Sequence, residues 1–257
     1  YLLTGELAYA HKAAVLLDRI AEVFPEMDYV KQSRYGTEIQ PGNYHGRILN
    51  HHWGVDAAIE LATAYDYIFE AMPQLTELER ATGKSLDAVR HNIEENLLED
   101  SARSIYTMDG RIAASNNIFA IHRALATIAV VLDNENTDKY LDWVLHNTGA
   151  GRYEGIMFGL SNMIYPDGAP NRSAPGYNVL WIEDFQVLAE LFLRRDIDLY
   201  QESSKLKRLF DYPLRLLMNE KFVPNIGDSG SVKASGPIGW NPAVYATAFR
   251  RYGEASF

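Results

Sequence analysis

Residues 6–24, ELAYAHKAAVLLDRIAEVF, decide the fold class of this chain. Their apolar side chains recur at spacings of three and four, which is the pattern of one buried face of an α-helix, and Pro25 follows where such a helix is expected to end. The same pattern returns in GVDAAIELATAYDYIFEA at 54–71 and in SNNIFAIHRALATIAVVL at 115–132. We therefore expect a helix at each of these three places.

Helical patterns continue through most of the remaining chain, whereas period-two alternation typical of strands is scarce. Further helices are expected at 86–106, 137–147, 152–164, 178–196 and 203–219. In the last of these, Pro213 should bend or divide the helix. The Gly-, Ser- and Pro-rich stretch from Pro224 to Pro242 is typical of a loop.

These patterns predict an all-α chain that forms one domain spanning 1–257. Consecutive helices with short connections pair antiparallel, so an incomplete (α/α) toroid of helical hairpins is one architecture that fits. An ordinary helical bundle fits equally well, and periodicity alone leaves both open.

Composition excludes several classes of function. The net charge of −10 argues against general nucleic-acid binding, although a local group of Arg and His side chains can still hold an anion. The absence of cysteine excludes disulfides, thiolate metal sites and a cysteine nucleophile. No apolar run reaches the roughly 18 residues of a membrane span. The chain begins at Tyr1 without a signal peptide, and we expect a processed chain or a fragment.

The segment GNYHGRILNHHWG at 42–54 is rich in His and aromatic residues and predicts a binding surface. Trp53 can stack on a sugar ring, while His51 and His52 can bind hydroxyls or carboxylates. A metal site is a second interpretation, because His52 and Asp56 are four residues apart. The third interpretation is a solvated loop anchored by its aromatic residues.

Polar residues also interrupt the apolar helix expected at 115–132. Asn116 and Asn117 lie at its start, and His122 lies within it. They could line a cleft. Alternatively, one asparagine caps the helix and His122 is a hydrogen-bonded core residue.

The stretch DGAPNRSAPGYN at 167–178 joins two apolar segments and contains the turn formers Gly, Pro and Asn. Asn171, Arg172 and Tyr177 belong to it, and Tyr177 is expected at the entry of the next helix. It either projects into a cleft or packs in the core. In NIGDSGS at 225–231, Asp228 is a catalytic candidate or orders the turn.

Several of these segments together resemble the heparinase II/III-like polysaccharide lyases. The resemblance rests on the residues 1–25, on GVDAAIELATAYDYIF, on ASNNIFAIHRALATIAVVLD, on MIYPDGAPNRSAPGYN and on PNIGDSGS. It implies that the chain forms an incomplete (α/α) toroid and that β-sandwich domains come after it in a longer protein. Two positions differ from the family pattern. Arg172 stands near the place where the family often has a Glu-Ser pair before the tyrosine. Ile118 follows Asn117, where many members have a histidine.

The resemblance implies β-elimination at a uronic acid of an anionic polysaccharide in the periplasm or outside the cell. Tyr177 matches the family's acid/base, and Asn117, helped by Arg172 or a histidine, would neutralise the uronate carboxylate. His122 or a histidine of residues 45–52 would be the second proton carrier. Substrate binding would involve the residues Arg172, His51, His52, Trp53, Asn116 and Asn171. No metal or organic cofactor is implied.

Two other functions remain open on the residues alone. A glycoside hydrolase on a similar helical toroid needs two carboxylates that flank one bond. Its candidates are Asp66, Asp167, Glu183, Asp184 and Asp228. A carbohydrate-binding protein without catalytic activity is the third possibility.

Overall fold

A computed structural model describes residues 1–27, 54–107, 118–148, 154–172, 174–218, 224, 226–227 and 241–256. The predicted all-α class is confirmed, since these residues are predominantly helical and contain no β-strand beyond one isolated bridge. None of the helices within these ranges is both long and apolar enough to cross a bilayer.

The described residues contain α-helical and π-helical segments, several of which are joined by short connections. In chain order they are α1 (Leu7–Val23), α2 (Gly54–Phe69), α3 (Leu78–Thr82), α4 (Leu86–His91), a π-helical segment (Asn92–Glu99), α5 (Asp100–Thr107), α6 (Ile118–Leu132), α7 (Thr137–His146), α8 (Ile156–Phe158), a second π-helical segment (Gly159–Met163), α9 (Pro175–Leu193), α10 (Leu199–Glu202), α11 (Ser204–Arg215) and α12 (Pro242–Tyr252).

The helix boundaries agree with the periodicity within a few residues at most places. The helix expected at 178–196 begins three residues earlier, because Pro175 occupies its first turn, where a missing N–H costs nothing. Pro213 does not divide α11, which continues to Arg215. The helix α12 was not predicted, although Asn241 caps its start and Gly253 ends it with a φ of +68°.

The chain divides into two compact units, Tyr1–Val144 and Leu145–Phe257, and α7 crosses the boundary. The expectation of a single domain over 1–257 stays a prediction. In the first unit, α1 contacts α2 and the first π-helical segment, while α6 contacts α2, α5 and the same segment. Fully buried alanines at 10, 14 and 21 line α1, and small side chains allow such helices to approach closely.

Two buried carboxylates connect the loops of the first unit to its helices. Asp18 on α1 accepts hydrogen bonds from Lys84 Nζ at 2.9 Å and from Asn92 Nδ2 at 2.7 Å. A charge that is buried in this way is tolerated because it is paired and hydrogen-bonded.

The second buried carboxylate, Glu99, accepts from the Tyr140 hydroxyl at 2.6 Å and from the side-chain amides of Asn134 and Asn136 at 3.1 Å. These bonds fix the turn between α6 and α7. Desolvation, followed by the hydrogen bond to Glu99, raises the pKa of Tyr140.

In the second unit, α9 is the central helix and contacts α10, α11 and α12. Its buried side chains include Phe185, Leu188 and Phe192. Glu190 on α9 joins the last helix through a paired contact, since Arg251 Nε and Nη2 lie 2.8 and 2.6 Å from its two oxygens. The Tyr200 hydroxyl donates to the same carboxylate at 2.8 Å.

This network makes a pH-dependent contribution to stability. The hydrogen bond from Arg251 holds the pKa of Glu190 below its ordinary value. A carboxyl with a lowered folded-state pKa stabilises the fold above the unfolded-state pKa of about 4.3, and the contribution is lost as the pH falls through the folded-state value.

We therefore expect Glu190→Gln to lower the free energy of unfolding by about 1 kcal/mol at neutral pH, since solvent screens a partly exposed pair. The difference from the unchanged protein should shrink toward zero as the pH falls below about 4. Urea unfolding at both pH values measures it. The matched control is Glu79→Gln, at an exposed residue of α3, which should leave the free energy of unfolding nearly unchanged. If Glu190→Gln lowers the free energy of unfolding by the same amount at both pH values, the prediction is wrong.

Candidate functional site

The stretch from Ile164 to Pro170 folds into a tight hairpin-like turn. Its two ends pair in an isolated antiparallel bridge. Tyr165 N donates to Ala169 O at 2.8 Å, and Gly168 N donates to Tyr165 O at 2.9 Å. Buried or turn-forming backbone groups are thereby satisfied within the loop itself.

Gly168 fixes the position of this turn on α11. Its φ is +94°, a conformation that residues with a side chain rarely adopt. A Cβ at this position would lie 2.0 Å from the carbonyl oxygen of Arg208. The turn therefore lies directly on the backbone of α11, and only glycine fits there.

Two cations of α11 bind carbonyl groups within this turn and just before it. Lys205 Nζ donates to Ser161 O at 2.6 Å and to Ile164 O at 2.8 Å, and Arg208 Nη1 donates to Pro166 O at 2.9 Å. The turn is thus attached through its backbone. This attachment fixes the position from which the chain continues toward Arg172.

Arg172 and Tyr177, which the sequence singled out, lie together at the start of α9. The Arg172 guanidinium carbon is 5.0 Å from the centre of the Tyr177 ring, within the range of a cation–π interaction. Both side chains are half-buried. Tyr177 is the third residue of α9, so its backbone belongs to a regular helix.

Burial disfavours the charged form of Arg172. It lowers the pKa of the guanidinium, while the nearby Tyr177 and Asp184 act in the opposite direction. Asp184 is a buried carboxylate that follows Tyr177 by seven residues, which places both on one face of α9. The site therefore combines a partly desolvated cation, a phenol and a buried acid.

Asn171 is exposed beside Arg172, and its Oδ1 accepts from the Tyr165 hydroxyl at 3.2 Å. Its role in substrate binding stays a prediction. Asp167, a candidate carboxylate for hydrolysis, accepts from Ala169 N at 3.0 Å and so orders the turn. Its companion candidates Glu183 and Asp184 belong to α9, whereas Asp66 belongs to α2.

His122 lies in the first unit and is fully buried. Its ring stacks on Trp143 with 5.0 Å between centres and 23° between planes, and the Phe119 ring lies 5.9 Å away. In this arrangement the imidazole has no surface to offer a substrate. The geometry favours the core alternative, and a catalytic role for His122 stays a prediction.

The remaining predicted site residues lie outside the described ranges. They are His51, His52, Trp53, Asn116, Asn117 and Asp228. Within the described ranges there is no group of three or more His, Asp or Glu side chains that could hold a metal ion.

Three residues of α11 that contact the turn or α9 are not predicted from the sequence. Lys205, Arg208 and Tyr212 are spaced by three and four, which puts them on one face of α11. Tyr212 accepts a hydrogen bond from Asn178 Nδ2 at 3.1 Å. The spacing of these three residues is visible in the sequence, but it does not indicate which segment of the chain this face of α11 contacts.

Comparison of this chain with family models, with curated proteins and with solved structures gave no match.

The contact at Gly168 leads to a first expectation for this site. Gly168→Ala should lower the free energy of unfolding by about 2–4 kcal/mol, because it adds a steric collision to an unfavourable φ. Gly253→Ala is the matched control, since Gly253 has a φ of +68° and open space around it. It should cost only about 1–2 kcal/mol. Urea unfolding measures both, and equal losses would contradict the close contact.

The surroundings of His122 lead to a second expectation. His122→Ala should lower the free energy of unfolding by about 2–4 kcal/mol, as other large-to-small core changes do. Any enzymatic activity per folded molecule should remain. A variant with unchanged stability and abolished activity would instead establish the catalytic role.

Proposed function

We propose that this chain belongs to a polysaccharide lyase that cleaves a uronic-acid-containing polysaccharide by β-elimination. The observation that carries the proposal is the Arg172 guanidinium lying over the Tyr177 ring at the start of α9, 5.0 Å from its centre. We further propose that the helical segments belong to an incomplete (α/α) toroid and that the enzyme acts in the periplasm or outside the cell.

The reaction requires charge stabilisation next to a carboxylate. The proton on C5 of a uronate is weakly acidic, and its removal leaves a second negative charge beside the carboxylate. Arg172 would bind that carboxylate, because a planar guanidinium can donate two parallel hydrogen bonds to it. Since burial already disfavours its charged form, an anionic ligand would offset part of that cost.

Tyr177 would protonate the departing oxygen. A base removes the proton from C5, the electrons of that C–H bond form the C4–C5 double bond, and the C4–O bond breaks with its electron pair going to oxygen. The Tyr177 hydroxyl then gives its proton to this oxygen, and the resulting phenolate regains one from solvent or from the protonated base. The base would be a histidine, for which the sequence offers His51 and His52.

Two alternatives remain and are separated by their products. A glycoside hydrolase would use paired carboxylates, and its candidates in the second unit are Asp167, Glu183 and Asp184, of which no pair stands out. A carbohydrate-binding protein would use the same surface without breaking a bond. A lyase produces an unsaturated uronate that absorbs ultraviolet light, a hydrolase produces reducing ends without this absorbance, and a binding protein produces neither.

The test uses the full-length protein with alginate, hyaluronan and heparan sulfate as substrates. We expect ultraviolet absorbance to rise with at least one of them. Tyr177→Phe should reduce kcat about 10²- to 10⁴-fold, the usual contribution of a general acid. Arg172→Ala should cost more than Arg172→Lys, because lysine keeps the charge but not the planar pairing.

Tyr9→Phe is the matched control, since Tyr9 is an exposed tyrosine of α1 in the first unit. It should leave the rate unchanged. If activity is present and Tyr177→Phe retains it in full, the assignment of Tyr177 is wrong. If reducing ends appear without absorbance, the hydrolase is correct instead.

A further inference from the structure

One face of α11 follows the turn and then reaches α9. Lys205 and Arg208 bind carbonyl groups of the turn, and Tyr212, one turn further along, binds the side chain of Asn178. The first two contacts attach the backbone of the loop. The third joins the side chains of Tyr212 and Asn178, and Asn178 follows Tyr177 in the first turn of α9.

Asn178 is an unusual residue for this position. Its side chain is only 3% exposed. Nδ2 donates to the Tyr212 oxygen at 3.1 Å, while Oδ1 is buried without a hydrogen-bond partner among the described residues. An unsatisfied buried polar atom costs about 1–3 kcal/mol, so the amide is a costly residue to keep in a helix face that could be apolar.

The amide also determines how the Tyr212 hydroxyl can bond. An amide nitrogen can only donate, so the phenolic oxygen is the acceptor and its own proton is directed elsewhere. Within the described part of the chain, no acceptor receives that proton. Tyr212 is half-buried, so part of this residue remains in contact with solvent while Asn178 holds its hydroxyl oxygen.

We infer that Tyr212 is a substrate-binding residue whose hydroxyl donates a hydrogen bond to a sugar oxygen, and that Asn178 is its positioning residue. The inference rests on the proposed function, since the sugar is the uronate polysaccharide that Arg172 and Tyr177 engage. It adds a second phenol, on α11 and bonded to Asn178 of α9, that binds the substrate without transferring a proton.

The expected kinetic effect differs from that of Tyr177. Tyr212→Phe keeps the ring and removes one neutral hydrogen bond, so KM should rise about 2- to 10-fold, while kcat and its pH profile stay within about twofold. Asn178→Ala should raise KM by a similar factor. The double variant should add little to either change, because both act through one hydroxyl.

Tyr200→Phe is the matched control. Tyr200 lies in the same unit and also loses one hydroxyl bond, that to Glu190, so its KM should not change. Urea unfolding of every variant separates folding from binding. A purely structural Tyr212 would lower the folded fraction and leave KM unchanged.

Equilibrium binding keeps this inference separate from the proposed function. Calorimetry with a saturated uronate hexasaccharide should show a Kd about 2- to 10-fold higher for Tyr212→Phe, whether or not cleavage occurs. If the protein cleaves or binds uronates and Tyr212→Phe matches the unchanged protein in KM and Kd, the inference is overturned and the lyase stands. If the protein neither binds nor cleaves any uronate, both are overturned.

Discussion

The close contact between Gly168 and the backbone of α11 is the constraint on which the candidate site depends. A positive φ and the absence of a Cβ allow the turn to lie against the Arg208 carbonyl. At this separation Lys205 and Arg208 reach the carbonyl groups of the turn. The direction in which the chain leaves the turn, and therefore the position of Arg172 over Tyr177, follows from that attachment.

The electrostatics of the site differ from those of the chain as a whole. The net charge of −10 repels a polyanion at long range, yet salt screens that repulsion beyond about 10 Å. At short range the partly desolvated Arg172 interacts more strongly than it would in water, because the local dielectric constant is lower. Binding of an anionic sugar to this protein would therefore depend on short-range contacts such as those of Arg172, and not on long-range electrostatic attraction.

Sequence periodicity predicted the elements better than their contacts. It identified α1, α2, α6 and α9 because apolar spacing reports directly which face of a helix is buried. It missed α12, a short helix whose start and end signals, Asn241 and Gly253, adjoin a Gly- and Pro-rich stretch. It could not show that the turn at Gly168 lies on α11, since the two segments are about 40 residues apart in the chain and the contact involves backbone atoms.

Burial of a polar residue does not by itself identify a functional site in this chain. Asp18 and Glu99 are as buried as Asn178, but donors from neighbouring segments satisfy their carboxylates and the bonds fix loops. His122 is buried between aromatic rings, an environment that suits a core residue. The pair formed by Asn178 and Tyr212 differs because the buried amide donates to the hydroxyl of a half-buried tyrosine, and no acceptor among the described residues takes the proton of that hydroxyl. The hydrogen-bond partners of a buried polar group are thus more informative about function than its degree of burial.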